Sequence, residues 1–123
     1  MYKQEGYYLV GAAIEVYNTL GHGFLEEVYQ ECMRMEFTLQ NIPFQNHPKL
    51  NLFYKGTVLE KYYVPDFYVC DGIVVELKAV KQLSEAHFAQ IMNYLKATEK
   101  CVGYLLNFGN DKELEWKRII ISH

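Results

Sequence analysis

The run "IVVELKAV" at residues 73–80 most constrains how this chain folds. Its dense Ile, Val and Leu content describes a strand covered on both faces. Glu76 and Lys78 interrupt that description. Alternate strand residues share a face, so Val74, Glu76, Lys78 and Val80 lie on one side. Ile73, Val75, Leu77 and Ala79 lie on the other. The fold must therefore surround a central strand that carries two neighbouring charges on one face.

The flanking segments supply the cover. Leu9, Ala12, Ala13, Val16 and Leu20 recur at helical spacing, which predicts a helix over 7–20, broken by "GHG" at 21–23. A second helix over 24–40 takes Leu25, Val28, Tyr29, Cys32, Met35 and Leu39 as its inner stripe, and "NIPF" ends it. Strands are expected at 49–54, 57–69 and 73–80, with Pro65 marking an edge or a bulge. Ser84 is the N-cap of a helix over 85–98. His87 holds the third position, where a capping box has Glu or Gln, so no such box is expected. Strands at 101–108 and 113–121 complete the order α-α-β-β-β-α-β-β, the highly charged last strand lying at an edge. That order predicts an α/β (α+β) domain: a mixed central sheet flanked by helices, with residues 1–123 forming one unit. The strand-helix-strand passage from 73 to 108 reads as a parallel crossover.

Composition narrows the function. Half of the residues are hydrophobic, as in a folded protein rather than a disordered one. The formal charge of −3 provides no global field for nucleic acid or acidic membrane, so any such contact needs a local patch or bound cations. Cys32, Cys70 and Cys101 are odd in number and widely spaced. This argues against a disulfide scaffold or a structural zinc site and suits a reducing cytoplasm. The apolar start is broken by Glu15 and too short for a membrane span, so no membrane association is expected.

Asp66 precedes the charged strand by one hairpin. A two-residue Asp71-Gly72 turn would place Asp66 opposite Leu77, facing away from Glu76. A three-residue loop, Cys70-Asp71-Gly72 with Gly72 left-handed, pairs Val69 with Ile73 and Asp66 with Glu76. We expect the second register on chemical grounds. Two opposed carboxylates repel, and a divalent cation between them reverses that sign. Mg²⁺ takes one or two carboxylates and keeps waters that phosphate oxygens replace. A lysine beside it holds an attacking water or offsets charge on the phosphate. Against this stands a plain alternative: Glu76 and Lys78 as a surface pair, and Pro65-Asp66 as a turn.

"PD" at 65–66 followed by "ELK" at 76–78 resembles the signature of the PD-(D/E)XK nuclease superfamily. Further motifs, "GFLEEVY" (23–29), "YKG", "DF", "VELKAV", "H-x-x-Q-x-x-x-Y-L" and "LLNFG", are together similar to the small GxxExxY protein family, a branch of it. The resemblance implies a restriction-endonuclease-like core and cleavage of nucleic acid with Mg²⁺ or Mn²⁺; DNA is favoured over RNA as the substrate, a choice the sequence leaves open. It implies Asp66 and Glu76 as metal ligands, Glu26 as an additional acidic residue near the metal, and Lys78 as the catalytic lysine. Gln90 and Tyr94 resemble the Gln-x-x-x-Tyr motif of an exonuclease branch. Members often carry His where this chain has Tyr17.

His87, Gln90 and Tyr94 form one polar stripe, at i, i+3 and i+7 on a helix. Facing a cleft, Gln90 binds a phosphate or a water, while Tyr94 stacks on a base. Lys81 joins a sparse set of lysines as a phosphate contact. So small a chain has little surface to grip a duplex, so a homodimer or a larger partner protein is an expected arrangement. The competing functions are a nucleic-acid-binding module without turnover and a protein-interaction or dimerisation module on the same fold.

Overall fold

In the computed structural model, which describes all 123 residues, the charged strand lies at the middle of a five-stranded sheet. Two helices come first, α1 (Lys3–Leu20) and α2 (Glu26–Leu39). Five strands follow: β1 (Phe44–Asn46), β2 (Leu50–Tyr54), β3 (Thr57–Tyr63), β4 (Phe67–Val69) and β5 (Ile73–Lys78). Then come α3 (Glu85–Thr98), β6 (Val102–Asn107) and β7 (Glu115–Ile120). The main sheet has the order β1-β4-β5-β6-β7, while β2 and β3 form a separate hairpin. The β5–β6 pair is parallel and the others are antiparallel, so the sheet is mixed and the class is α+β.

The expected element order differs from this one in two places. Residues 57–69 are two strands belonging to different sheets. Pro65 has no N–H for a ladder, and the chain changes sheets around it. The short β1 lies where only the end of a helix was expected, and it exists by pairing with β4, Phe44 opposite Val69. β7 occupies an edge, as its charges predict.

The two faces of β5 divide the core. Ile73, Val75 and Leu77 pack with Leu9, Ala12, Ala13 and Val16 of α1 and with Tyr29, Met33 and Phe37 of α2. Val74 faces the other way, with Leu105, Tyr68 and Tyr63, beneath Ile91 and Leu95 of α3. The inner stripe of α2 is therefore rotated from the expected one. Leu25, Met35 and Leu39 are exposed, while Met33 and Phe37 are fully buried. The cause is aromatic packing: the Phe37 ring lies 5.3 Å from Phe44 and 5.2 Å from Phe67. Removing so buried a ring costs about 3–5 kcal/mol, more than the surface preference of Met35 or Leu39.

The far end of β5 is tied to β6 by Asn107, a fully buried amide. Its Nδ2 donates to the Val80 carbonyl at 2.8 Å and to Glu115 Oε1 at 2.9 Å. Its Oδ1 accepts from Val80 N–H at 3.0 Å and from Gly109 N–H at 3.1 Å. Phe108 N–H donates to the Lys78 carbonyl at 2.8 Å. These bonds fix the chain where it leaves the sheet, and so fix the origin of the Lys78 side chain.

Candidate active site

The loop between β4 and β5 sets the register on which the site depends. Val69 pairs with Ile73, Tyr68 with Val74 and Phe67 with Val75, so Asp66 comes opposite Glu76. The loop is Cys70-Asp71-Gly72, as expected, but the left-handed residues are Cys70 and Asp71, both with φ 53. Gly72 N–H donates to the Val69 carbonyl at 3.2 Å, closing the turn. Positive φ at both central positions matches the twist of the flanking strands. Gly72 serves a different need: a Cβ there would lie 2.0 Å from the Tyr2 ring.

Asp66 and Glu76 then clasp each other through backbone. Asp66 N–H donates to Glu76 Oε1 at 2.9 Å. Leu77 N–H donates to Asp66 Oδ2 at 2.7 Å. Both side chains are half-buried, neither sealed in hydrocarbon nor fully in water. Burial, then the charge of Asp66, pushes the Glu76 carboxyl up to about 7, against the opposing pull of the Asp66 N–H, Lys78 and Tyr63. Burial also raises Asp66, offset in part by Leu77 N–H, His47, Lys78 and Gln30. Lys78 is two residues along β5 from Glu76, half-buried, and its ammonium closes no ion pair.

Glu26, at the first position of α2, is half-buried. Its carboxyl is raised by burial and by Asp66 and lowered by Lys78, so it shares their electrostatic environment. The rest of its motif is structural. Gly23 has φ 105, a backbone that disfavours a side chain, and open space where a Cβ would sit, so it does not serve close packing. Tyr29 is fully buried, stacked 4.7 Å from Phe108. Its hydroxyl donates to the Gly21 carbonyl at 2.6 Å and accepts from Phe24 N–H at 3.2 Å. Tyr29 thus anchors the loop that delivers Glu26.

The family model of the PD-(D/E)XK nuclease superfamily matches residues 3–119. The chain belongs to that superfamily. No curated protein matches the chain. Among solved structures, the crystal structure of an alkaline exonuclease from Laribacter hongkongensis is similar at 12% identity and a TM-score of 0.41. The likeness covers 89% of this chain and 76% of that one.

On this superfamily chain, Asp66, Glu76, Lys78 and Glu26 gather at one place, but no three His, Cys, Asp or Glu side chains converge as a metal cage. The close pair is Asp66 with Glu76, and Glu26 stands off from it. The α3 residues divide. Tyr94 stacks face to face on Tyr63, at 4.0 Å and 4°, and so borders the site from α3. Gln90 is exposed on the same helix and lines a shallow groove with Asn93, Tyr94 and His87. His87 Nδ1 accepts from Ser84 N–H at 3.0 Å, so a capping box is present after all, with an imidazole acting as its acceptor. Lys81 is exposed beyond β5, beside Gly109 and His22. Tyr17 donates to the Asn110 carbonyl at 2.5 Å, a structural bond near the loop that follows β6.

Three site neighbours escaped the sequence reading. Gln30 Nε2 donates to Asp66 Oδ1 at 2.8 Å. Its signal was available, since it lies four residues after Glu26 on the same helix face. His47 Nε2 lies 3.8 Å from Asp66 Oδ1, and the His47 backbone N–H donates to the Asp66 carbonyl at 2.9 Å. Nothing before β1 was recognised as a strand would have placed it there. Tyr63 is only 7% exposed, and its hydroxyl sits beside Glu76 without completing a well-aligned hydrogen bond. Burial and the Glu76 charge push that phenol well above its ordinary value.

Proposed function

We propose that this chain is a metal-dependent nuclease of the GxxExxY branch, working as a single nuclease-like domain of the cytoplasm. It hydrolyses phosphodiester bonds, those of DNA in preference to RNA. The observation that carries the reading is the acid pair: Glu76 held by the Asp66 N–H and Asp66 held by the Leu77 N–H, with an unpaired lysine beside them. The donor set fits a hard divalent cation. It offers only carboxylate oxygens, each with a lone pair beyond its hydrogen bond, and two carboxylates are what Mg²⁺ takes when it keeps water and phosphate as its other ligands. Mg²⁺ or Mn²⁺ supplies positive charge at the phosphate and favours a deprotonated water.

The protein's own groups do the rest. The Leu77 and Asp66 N–H groups and the Gln30 amide orient the carboxylates, so little ordering is left for the moment of reaction. Lys78 orients the attacking water and offsets charge growing on the phosphate oxygens. Glu26 acts on the site through water. Gln90, Tyr94, His87 and Lys81 contact the nucleic acid outside the reacting atoms.

The test is incubation with single- and double-stranded DNA and RNA, with Mg²⁺ or Mn²⁺ and with chelator. Cleavage is expected with metal alone, and Glu76→Ala and Lys78→Ala each lower it by about two to four orders of magnitude. Cleavage unchanged in both variants, or absent from the intact protein, sinks the reading.

A further inference from the structure

The β2–β3 hairpin has no place in the sheet that carries the acids. Its inner face is accounted for: Leu50 pairs with Tyr63, and both pack against the cluster beneath α3. Its outer face and tip are not. Tyr54 is 62% exposed and Tyr62 is 49% exposed. Each ring has an ammonium over it: Lys49 Nζ is 4.8 Å from the Tyr62 centroid, and Lys55 Nζ is 5.5 Å from that of Tyr54. Residues 49–63 carry Lys49, Lys55 and Lys61 against Glu60 alone, on a chain of net charge −3. Positive charge and exposed aromatic side chains therefore coincide on one hairpin, Tyr62 on its outer face and Tyr54 at its tip.

That combination suits one kind of partner. An unpaired base stacks on a tyrosine face, and a neighbouring ammonium takes its phosphate. A duplex fits less well, because its bases are already stacked and leave the rings nothing to hold. An apolar protein surface would have to desolvate the lysines. The hairpin also runs in sequence directly into the acid site. Tyr62 is one residue, about 3.3 Å of strand, from Tyr63. Tyr63 turns inward, stacks on Tyr94 and lies against Glu76. Pro65 and Asp66 follow directly.

We propose that the hairpin is a stacking platform for a single strand of nucleic acid, which it leads toward Asp66 and Glu76. The proposal deepens the nuclease reading and rests on it for the strand's destination. Its test uses the full chain with a labelled single-stranded oligonucleotide and the matching duplex, in chelator, read by fluorescence anisotropy. The intact protein should prefer the single strand. Tyr54→Ala with Tyr62→Ala should weaken that binding by roughly tenfold or more and leave duplex binding unchanged. Tyr62→Phe, which keeps the ring, should bind as the intact protein does. Hydrolysis of bis(p-nitrophenyl) phosphate with Mn²⁺, a diester too small to reach the platform, should be the same in the double variant. Absence of nucleic-acid cleavage in every form removes the nuclease reading while the binding comparison still decides the platform. Equal binding by the double variant and the intact protein overturns the platform. So does loss of a dimer in the double variant, by sedimentation, with oligonucleotide binding intact, since the hairpin is then a protein contact.

Discussion

Replacing Glu76 with Gln should stabilise the metal-free protein above neutral pH and remove most of the pH dependence of its stability. The Glu76 carboxyl stands at about 7 in the folded chain, against an ordinary value of 4.5. Between those values the folded state holds a proton that the unfolded state has released. Stability therefore falls as pH rises through this window: full below the lower value, lost above the upper one. At about 1.4 kcal/mol per pH unit, the difference comes to about 3 kcal/mol. Asp66, also raised by burial, adds to the loss. At roughly 4 °C per kcal/mol for a chain of this size, the wild-type melting temperature should drop by about 10 °C between about pH 5 and pH 8 in chelator. Glu76→Gln keeps an oxygen to accept the Asp66 N–H but has no charge to bury, so its melting temperature should change far less. Adding Mg²⁺ at the upper pH should recover the wild type, because the ion binds only the folded pair, and should do little for the variant. Every other ionisable group is common to both proteins, so the difference between the two curves is the measurement. Parallel pH profiles, or equal rescue by Mg²⁺, would refute the reasoning.

Gln30→Leu removes a donor from Asp66 Oδ1 and should cost about 1–3 kcal/mol once that carboxylate is ionised, while raising the Mg²⁺ concentration that half-saturates cleavage. Asn107→Ala strands the Val80 backbone groups, takes one of two donors from Glu115 Oε1, and should lower the free energy of unfolding in urea by about 3 kcal/mol. Gly109→Ala places a Cβ 2.4 Å from the Val80 backbone N and O, and a denaturant melt should register a loss of about 1–3 kcal/mol. Because Val80 cannot yield without moving the end of β5, the same variant should also lose cleavage more than its stability alone predicts.

What the sequence disclosed depended on how local its causes were. The face alternation of β5 is a property of any strand, so the placement of Glu76 and Lys78 opposite Leu77 could be read directly. The Asp66–Glu76 register followed from the loop length, which limits the pairings, although it was chosen over its rival on chemical grounds. The third helix was bounded correctly because Ser84 starts it and a β-rich segment follows. The second helix was different. It is apolar at Leu25, Val28, Tyr29, Cys32, Met33, Met35, Phe37 and Leu39, on nearly every side, so its periodicity allowed more than one inner face. Phe44 and Phe67, residues from two other strands, decide which side turns in. The same remoteness hid β1, and with it Asn46 and His47, which reach the Asp66 carbonyl only because β1 pairs with β4. It also hid the change of sheet at Pro65. A proline announces that a ladder stops, but not where the chain goes next.

The charge arrangement of the site is the one that a structural explanation accounts for least. A fold needing these groups for stability would pair them, since a half-buried carboxylate without a counter-charge costs more than it returns. Here Asp66 has only His47 within ion-pair distance, at 3.8 Å, and Lys78 reaches neither acid closely enough for an ion pair. The backbone N–H groups fix both carboxylates in place without neutralising them. With Glu26, Asp66 and Glu76 ionised against Lys78, the cluster carries two negative charges in excess. The proposed divalent cation would balance that excess. Burial and the Asp66 charge raise Glu76, and a divalent cation beside it would favour its charged form. Two acids held together by backbone hydrogen bonds, with one carboxyl raised, are the arrangement that supports the proposed metal site.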